Sequence, residues 1–117
     1  MAESIVLEKA IKFALRIIRL YKYLTEQQRE FVISKQVLLS GTFIAKHVKT
    51  ALYSRSKQGF SSEMFTAMQK GLDTELWLLL LHKGEFISSE QYSSLNDDWV
   101  EMIKLTSSIS KTSYENE

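Results

Sequence analysis

The chain of 117 residues has no cysteine and no proline, and its four glycines stand at 41, 59, 71 and 84. Without cysteine it offers no disulfide and no thiolate for nucleophilic catalysis, zinc or iron–sulfur binding. Average usage would place about six prolines in a chain of this length. Such a shortage of chain-breaking residues predicts long helices joined by few turns.

Long apolar runs are also missing. A transmembrane helix needs about 20 mostly apolar residues, whereas the longest uncharged stretch covers only residues 36–45. The beginning of the chain carries Glu3 and Glu8 and lacks a basic leader followed by an unbroken apolar segment. We therefore expect one packed domain that has no secretory signal, makes no membrane contact and resides in the cytoplasm.

Apolar periodicity predicts four helices, at about residues 4–24, 26–53, 61–81 and 88–111. Because their connections are short, successive helices should run in opposite directions. The predicted fold is all-α: residues 1–111 form an antiparallel up-down-up-down four-helix bundle. Residues 112–117 form a flexible C-terminal tail.

Capping residues are predicted at the starts of three of the helices. Thr25 and Gln28 have the spacing of a capping box, which would open the second helix almost directly after the first. Ser61 is the expected cap of the third helix. Ser88 and Gln91 form another capping box before the fourth.

Gly41 lies in the middle of the second predicted helix, on a seam of otherwise larger residues. Glycine costs a helix roughly 1 kcal/mol relative to alanine. This cost is tolerable if a neighbouring helix must approach closely at that point. The alternative is that Gly41 marks a kink.

The third predicted helix ends in six consecutive apolar residues, 76–81, which make it apolar on every side. We expect three leucines to face the core: Leu72, Leu76 and Leu79. Trp77 and Leu80 then fall on the side that should meet water. An apolar patch of this kind predicts an interface between copies of the chain, unless a loop or the tail folds over Trp77.

The sequence offers little catalytic material. His47 and His82 are far apart and lack a third ligand at a suitable spacing, and neither has a glutamate three residues before it, as a di-iron bundle requires. No glycine-rich phosphate-binding loop is present. We expect no enzymatic activity, no cofactor and no metal site.

Charge is distributed unevenly along the chain. Residues 1–58 contain 11 Lys or Arg and 4 Asp or Glu, whereas residues 59–117 contain 4 and 10. The candidate nucleic-acid-binding residues are Lys9, Lys12, Arg16, Arg19, Lys46, Lys49, Arg55 and Lys57. Such a surface would bind phosphates in a salt-dependent, sequence-tolerant way. Alternatively, it is a solvated face, or it receives the acidic fourth helix of a neighbouring copy.

Three segments carry a family resemblance: QVLLSGTFIAKHVKTA (36–51), AMQKGLDTELWLLLL (67–81) and GEFISSEQYSSLNDDWVEMIKLTSSISKT (84–112). In this order they resemble the bacterial four-helix bundle proteins first associated with intervening sequences in 23S ribosomal RNA. The chain departs from the family pattern at Phe43, His47, Lys49 and Thr50, where the family has a polar residue, Asn and acids. These departures make the segment more basic than the pattern.

The resemblance implies a bundle without a known catalytic centre that assembles into a ring, commonly of five subunits. The family is similar to the accessory protein of diversity-generating retroelements, which works with a reverse transcriptase and nucleic acid. We therefore predict a non-enzymatic homopentamer that binds RNA or DNA weakly. The alternative is a protein-interaction scaffold or an accessory subunit, for example of a reverse transcriptase, that does not touch nucleic acid.

Overall fold

The computed structural model describes the backbone of residues 2–115 and the side chains of residues 5–105 and 108. It contains helices α1 (Ala2–Glu26), α2 (Ile33–Leu52), α3 (Lys57–Lys83) and α4 (Ser89–Glu115). Within residues 2–115 there is no strand, and none of these helices has the length and apolar character needed to cross a membrane. α4 continues through residues 112–115, where the sequence predicts a tail; residues 116 and 117 lie outside the described part.

The four helices share one core. α1 packs against α2 and α4, and α3 packs against the same two helices, so that α1 and α3 occupy opposite corners. The largest side chains with less than 2% exposure come from all four helices: Phe13, Ile17, Leu24, Ile44, Met64, Leu78, Leu81, Trp99 and Met102. Burial of such side chains supplies the main driving force for folding.

Two glycines allow close helix packing. A Cβ atom at Gly41 would lie 2.8 Å from Cγ1 of Ile17 in α1, which confirms that a neighbouring helix approaches here. α2 runs unbroken through this position. At Gly71 in α3, a Cβ atom would lie 1.9 Å from Cζ3 of Trp99. The indole of α4 thus occupies the space that a side chain at residue 71 would need.

The predicted start of α2 was wrong. The hydroxyl of Thr25 donates to the carbonyl of Tyr21 at 2.9 Å, and the amide of Gln28 donates to the hydroxyl of Tyr23 at 2.8 Å. Neither side chain caps a following helix, because α2 begins only at Ile33.

Glu30 caps α2 instead. Its carboxylate accepts hydrogen bonds from the backbone N–H groups of Val32, Ile33 and Ser34 at 2.6–3.1 Å. The preceding residue, Arg29, has a φ of 55°, which turns the chain so that the carboxylate reaches these groups. Burial alone would raise the pKa of Glu30, but the three N–H donors outweigh it and the pKa lies below its usual value.

The other two helix starts differ in outcome. α3 begins at Lys57, and the hydroxyl of Ser56 accepts from the N–H of Gly59 at 2.9 Å; the expected cap, Ser61, is buried inside the helix. The capping box before α4 is confirmed, since Ser88 and Gln91 exchange backbone-to-side-chain bonds of 2.7 and 3.1 Å.

The side of α3 that faces the core was also predicted incorrectly. Leu72 and Leu76 are 46% and 50% exposed, and Leu79 is half-buried. The buried positions of α3 are Ser61, Met64, Ala67, Gly71, Thr74, Leu78 and Leu81. Small residues occupy the middle of this row because the ring of Trp99 and the hydroxyl of Ser40 fill the space beside them.

Candidate nucleic-acid and assembly surfaces

The four predicted basic residues of α1, here called the basic row, lie along the side of the helix next to α4: Lys9, Lys12, Arg16 and Arg19. Lys9 forms an ion pair with Glu101. Arg16 binds the carboxylate of Asp98 at 2.6 Å and also donates to the carbonyl and hydroxyl oxygens of Ser94, at 3.1 and 2.8 Å. The acidic fourth helix therefore does cover part of the basic row, but it belongs to the same chain rather than to a neighbour.

These ion pairs reduce the charge of α1 more than they hold the fold together. The paired side chains are 32–56% exposed, and ion pairs in such positions typically contribute about 0–1 kcal/mol. Lys12 and Arg19 are exposed. Each borders a cleft between α1 and α4, of about 100 Å³ at Lys12 and about 260 Å³ at Arg19.

α2 presents a different charge pattern, because residues 33–52 include no acidic side chain. Lys46 and Lys49 are exposed, and neither forms an ion pair with an acidic side chain in the described part of the chain. The ammonium of Lys46 lies 4.7 Å from the ring centroid of Phe43. Arg55, in the turn between α2 and α3, is exposed, as is Lys57 at the start of α3.

Tyr53 was not among the predicted site residues. It directly follows α2 and its side chain is 79% exposed. Lys49 and Lys46 precede it by one and two helical turns and therefore lie on the same side, and Arg55 follows two residues later. We call Lys46, Lys49, Tyr53 and Arg55 the α2 end. An aromatic residue between basic ones was the sequence signal for it.

The structure does not merge the two groups of basic residues into one surface. Ile11, Leu15 and Ile18 are 36–47% exposed and form a second row on α1, here called the α1 apolar row. Ile18 lies two positions after Arg16, about 200° around the helix, and Arg16 contacts α4. The α1 apolar row therefore faces away from α4, and it separates the basic row of α1 from α2.

α3 carries a similar row. Phe65, Leu72, Leu76 and Leu80 are 39–50% exposed, and we call them the α3 apolar row. Leu76 lies two positions after Thr74, which contacts Ser40 of α2, so this row faces away from α2.

Of the two predicted interface residues, Leu80 belongs to the α3 apolar row. Trp77 does not, since its ring is half-buried and packs against the core of its own chain. The exposed patch is thus centred on leucines rather than on the tryptophan.

The two apolar rows point in opposite directions. α1 packs on α4 while α3 packs on α2, and α1 and α3 stand at opposite corners. In cross-section the helices form a square in the order α1, α2, α3, α4. At α1 the direction away from α4 is therefore opposite to the direction away from α2 at α3. One molecule carries an exposed apolar strip on each of two opposite faces.

Both histidines take part in packing contacts between helices. Nδ1 of His47 in α2 lies 2.8 Å from the carboxylate of Glu63 in α3. The ring of His82 stacks on Tyr92 of α4 with 4.6 Å between centroids. Within the described residues, no three acidic or histidine side chains are grouped closely enough to hold a metal ion.

Comparison with known proteins places these surfaces in a family context. The family model described as 23S rRNA-intervening sequence protein matches residues 2–108. Among curated proteins, none gives a significant match. A similar solved structure is the 1.70 Å crystal structure of a protein of unknown function from the S23 ribosomal protein family of Bacteroides thetaiotaomicron VPI-5482. It is 42% identical with a TM-score of 0.93, over 95% of this chain and 99% of that one.

Proposed function

Because the chain belongs to the 23S rRNA-intervening sequence protein family, we propose that it is a non-enzymatic, cytoplasmic homo-oligomer that binds RNA weakly. The assembly is the better supported part of this proposal. It rests on the two apolar rows that lie on opposite faces of one molecule. The RNA contact rests on the exposed lysines of the α2 end.

We also infer an antiparallel arrangement of neighbouring helices. Ser40 of α2 contacts Thr74 of α3, whereas His47, further along α2, contacts Glu63, which lies earlier in α3. The contacts between α1 and α4 follow the same inverted order. This order supports the up-down-up-down bundle.

A head-to-tail contact places the α1 apolar row of one copy on the α3 apolar row of the next. Repeated contacts of this kind form a ring when the rotation between copies closes. Two separate apolar faces favour head-to-tail contact over a two-fold dimer, which would use one face and leave the other in water; a ring of five also requires a turn of about 72° between successive copies. Five subunits is the number that the family resemblance implies.

The mass in solution tests the assembly. Leu72→Glu combined with Leu76→Glu places two charges in the α3 apolar row and should yield a particle of 13.6 kDa by light scattering, whereas the proposal expects a wild-type particle several times larger. Phe31→Glu, at a 58% exposed position outside both rows, is the matched control and should keep the wild-type mass. A monomeric wild type at micromolar concentration would contradict the proposal.

We propose that the α2 end contributes more to RNA binding than the basic row of α1 does. Lys9 and Arg16 already bind acidic side chains of α4, so a phosphate must compete with Glu101 and Asp98 for them. No such competition is present at Lys46 or Lys49 among the described residues. Phosphate binding should therefore concentrate at the α2 end.

Two double variants with the same loss of charge test this assignment. Lys46→Gln with Lys49→Gln should weaken RNA binding and lower the slope of log affinity against log salt by about 0.7 for each phosphate that is no longer neutralised. Lys9→Gln with Arg16→Gln should have the smaller effect. Filter binding across a salt series measures the RNA affinity of both double variants. A larger loss of affinity in the α1 variant than in the α2 variant would place the RNA site on α1.

The same lysines also suit an acidic protein surface, and that is the second candidate function. In this case the protein is a scaffold or an accessory subunit, for example of a reverse transcriptase, without direct contact to nucleic acid. The scaffold proposal predicts an oligomeric wild type that binds no RNA even at low salt. If the basic variants change the mass of the oligomer rather than RNA affinity, the lysines serve the contact between copies.

A further inference from the structure

Tyr53 is the most exposed of the large apolar and aromatic side chains in the described part of the chain, at 79%. An aromatic side chain buries roughly 150–250 Å² when it packs, and this one leaves most of that area in water. Within the described residues, no aromatic ring or cation stacks on either face of its ring. The ring is thus available to a planar partner.

We propose that Tyr53 is a stacking platform for an unpaired nucleobase, so that the RNA bound at the α2 end is single-stranded there. This inference rests on the proposed RNA contact and adds the class of RNA to it. Aromatic side chains beside a basic groove are the usual means by which proteins hold single strands without reading their sequence.

The geometry of the α2 end fits a short stretch of strand. Lys49 and Lys46 precede Tyr53 by four and seven residues, or about 6 and 10 Å along the helix axis. A stacked strand advances about 3.4 Å per nucleotide, so the row spans about three nucleotides. The two lysines can contact successive phosphates while the base beyond them stacks on the tyrosine.

A duplex would not use this platform. Base faces inside a double helix are already stacked, and side chains cannot enter the deep, narrow major groove of A-form RNA. Binding of duplex RNA to the lysines would involve phosphates only. Tyr53 should therefore distinguish unpaired from paired RNA.

Phe31 provides a comparison inside the same chain. It is also an exposed aromatic residue, at 58%, and Lys35 lies nearby in sequence. However, the guanidinium of Arg29 lies 5.7 Å from its ring centroid and covers one face. Phe31 also precedes the start of α2, at the opposite end of that helix from Tyr53 and its lysines, so it is an aromatic control that the proposal does not expect to bind a base.

The test uses the full chain and two labelled probes, an oligouridine of about 12 nucleotides and a duplex of equal length, a size within the range of single-strand sites. Tyr53→Ala should weaken oligouridine binding by about 5- to 150-fold and leave duplex binding nearly unchanged. Tyr53→Phe should retain oligouridine binding, because phenylalanine keeps the aromatic face. Phe31→Ala should behave as the wild type, and light scattering checks that every variant has the wild-type mass.

The outcomes separate this inference from the function on which it rests. If Lys46→Gln with Lys49→Gln weakens oligouridine binding but Tyr53→Ala does not, the stacking role is wrong while the RNA contact stands. An equal weakening of oligouridine and duplex binding in Tyr53→Ala also contradicts it, as does a change of mass in that variant, which would place Tyr53 in the contact between copies. Wild-type protein that binds neither probe overturns both proposals.

Discussion

At the scale of single residues, the contact between α3 and α4 depends on the absence of a side chain at Gly71. Trp99 is 1% exposed and its ring would lie 1.9 Å from a new Cβ atom. Overpacking of this kind costs about 1–3 kcal/mol, against roughly 1 kcal/mol gained in helix propensity. Gly71→Ala should therefore lower the free energy of unfolding by up to about 2 kcal/mol, which appears as a lower midpoint of urea unfolding.

Gly59→Ala is the control for this substitution, because its new methyl group would come no closer than 3.1 Å to another side chain. Its effect on the midpoint should be clearly smaller. A Gly71→Ala variant as stable as the wild type would mean that the indole can move aside, and that the interior around Trp99 is loosely packed.

Glu30 gives a prediction with a defined pH dependence. The lowered pKa of Glu30 means that its charged form stabilises the folded chain above the usual glutamate value of about 4.3. This contribution is lost as the pH falls through the folded pKa. Glu30→Gln should cost about 0.5–2 kcal/mol near neutral pH, as for loss of a helix cap, and its deficit against the wild type should shrink below about pH 4.3.

Thermal or urea unfolding of both proteins over a pH series measures that deficit. Glu26→Gln removes an exposed carboxylate at the end of α1 and should remain close to the wild type across the series. A deficit for Glu30→Gln that stays constant down to low pH would show that the amide, rather than the missing charge, causes the loss.

At the scale of helices, local side-chain patterns predicted some ends and missed others. The capping box of α4 could be predicted because Ser88 and Gln91 interact within one turn. The cap of α2 could not, because it depends on the positive φ of Arg29, which brings the carboxylate of Glu30 onto the helix start. No residue spacing in the sequence predicts the turn at Arg29.

The orientation of α3 was missed for a different reason. Its final apolar run has no periodicity, so the sequence does not indicate which side faces inward. The side is decided by the partners that Gly71 and Thr74 meet on the adjacent helices, namely Trp99 and Ser40. Such contacts join residues that are distant in sequence, and no pattern in a single amino-acid sequence indicates which of them will meet.

The ion pair between Arg16 and Asp98 tests how α1 and α4 are held together. These side chains are 32% and 45% exposed, so a double-mutant cycle with Arg16→Ala and Asp98→Asn should give a coupling of about 0.2–1 kcal/mol. The coupling should decrease with added salt. A salt-insensitive coupling well above that range would mean that this contact, rather than apolar packing, determines the position of α4.

At the scale of the whole molecule, the same ion pairs explain why the basic surface was only partly predictable. Four of the five basic residues of α1 are regularly spaced, but the sequence does not say which helix lies beside them. The helix beside them is α4 of the same chain, and its acidic residues form ion pairs with Lys9 and Arg16. The lysines near the end of α2 have no such neighbour among the described residues.

A mixing experiment tests the head-to-tail assembly. Leu15→Glu places a charge in the α1 apolar row, and Leu76→Glu places one in the α3 apolar row; each variant alone should remain at 13.6 kDa. Mixed in equal amounts, they retain one intact face of each kind and should form a dimer of twice that mass and nothing larger. A mixture that remains monomeric by light scattering would exclude contact between the two rows.

The hydroxyl groups of Ser40 and Thr74 lie 2.8 Å apart in the interior, where Thr74 is fully buried and Ser40 is 7% exposed. If α3 slid along α2 by one helical turn, about 5.4 Å, the two oxygens would separate, and each would keep only its bond to a carbonyl of its own helix, Lys70 for Thr74 and Val37 for Ser40. Apolar burial is non-directional, so it distinguishes such offsets less sharply than a hydrogen bond between the helices does. The hydrogen bond between Thr74 and Ser40 therefore helps to fix the axial register of α3 against α2.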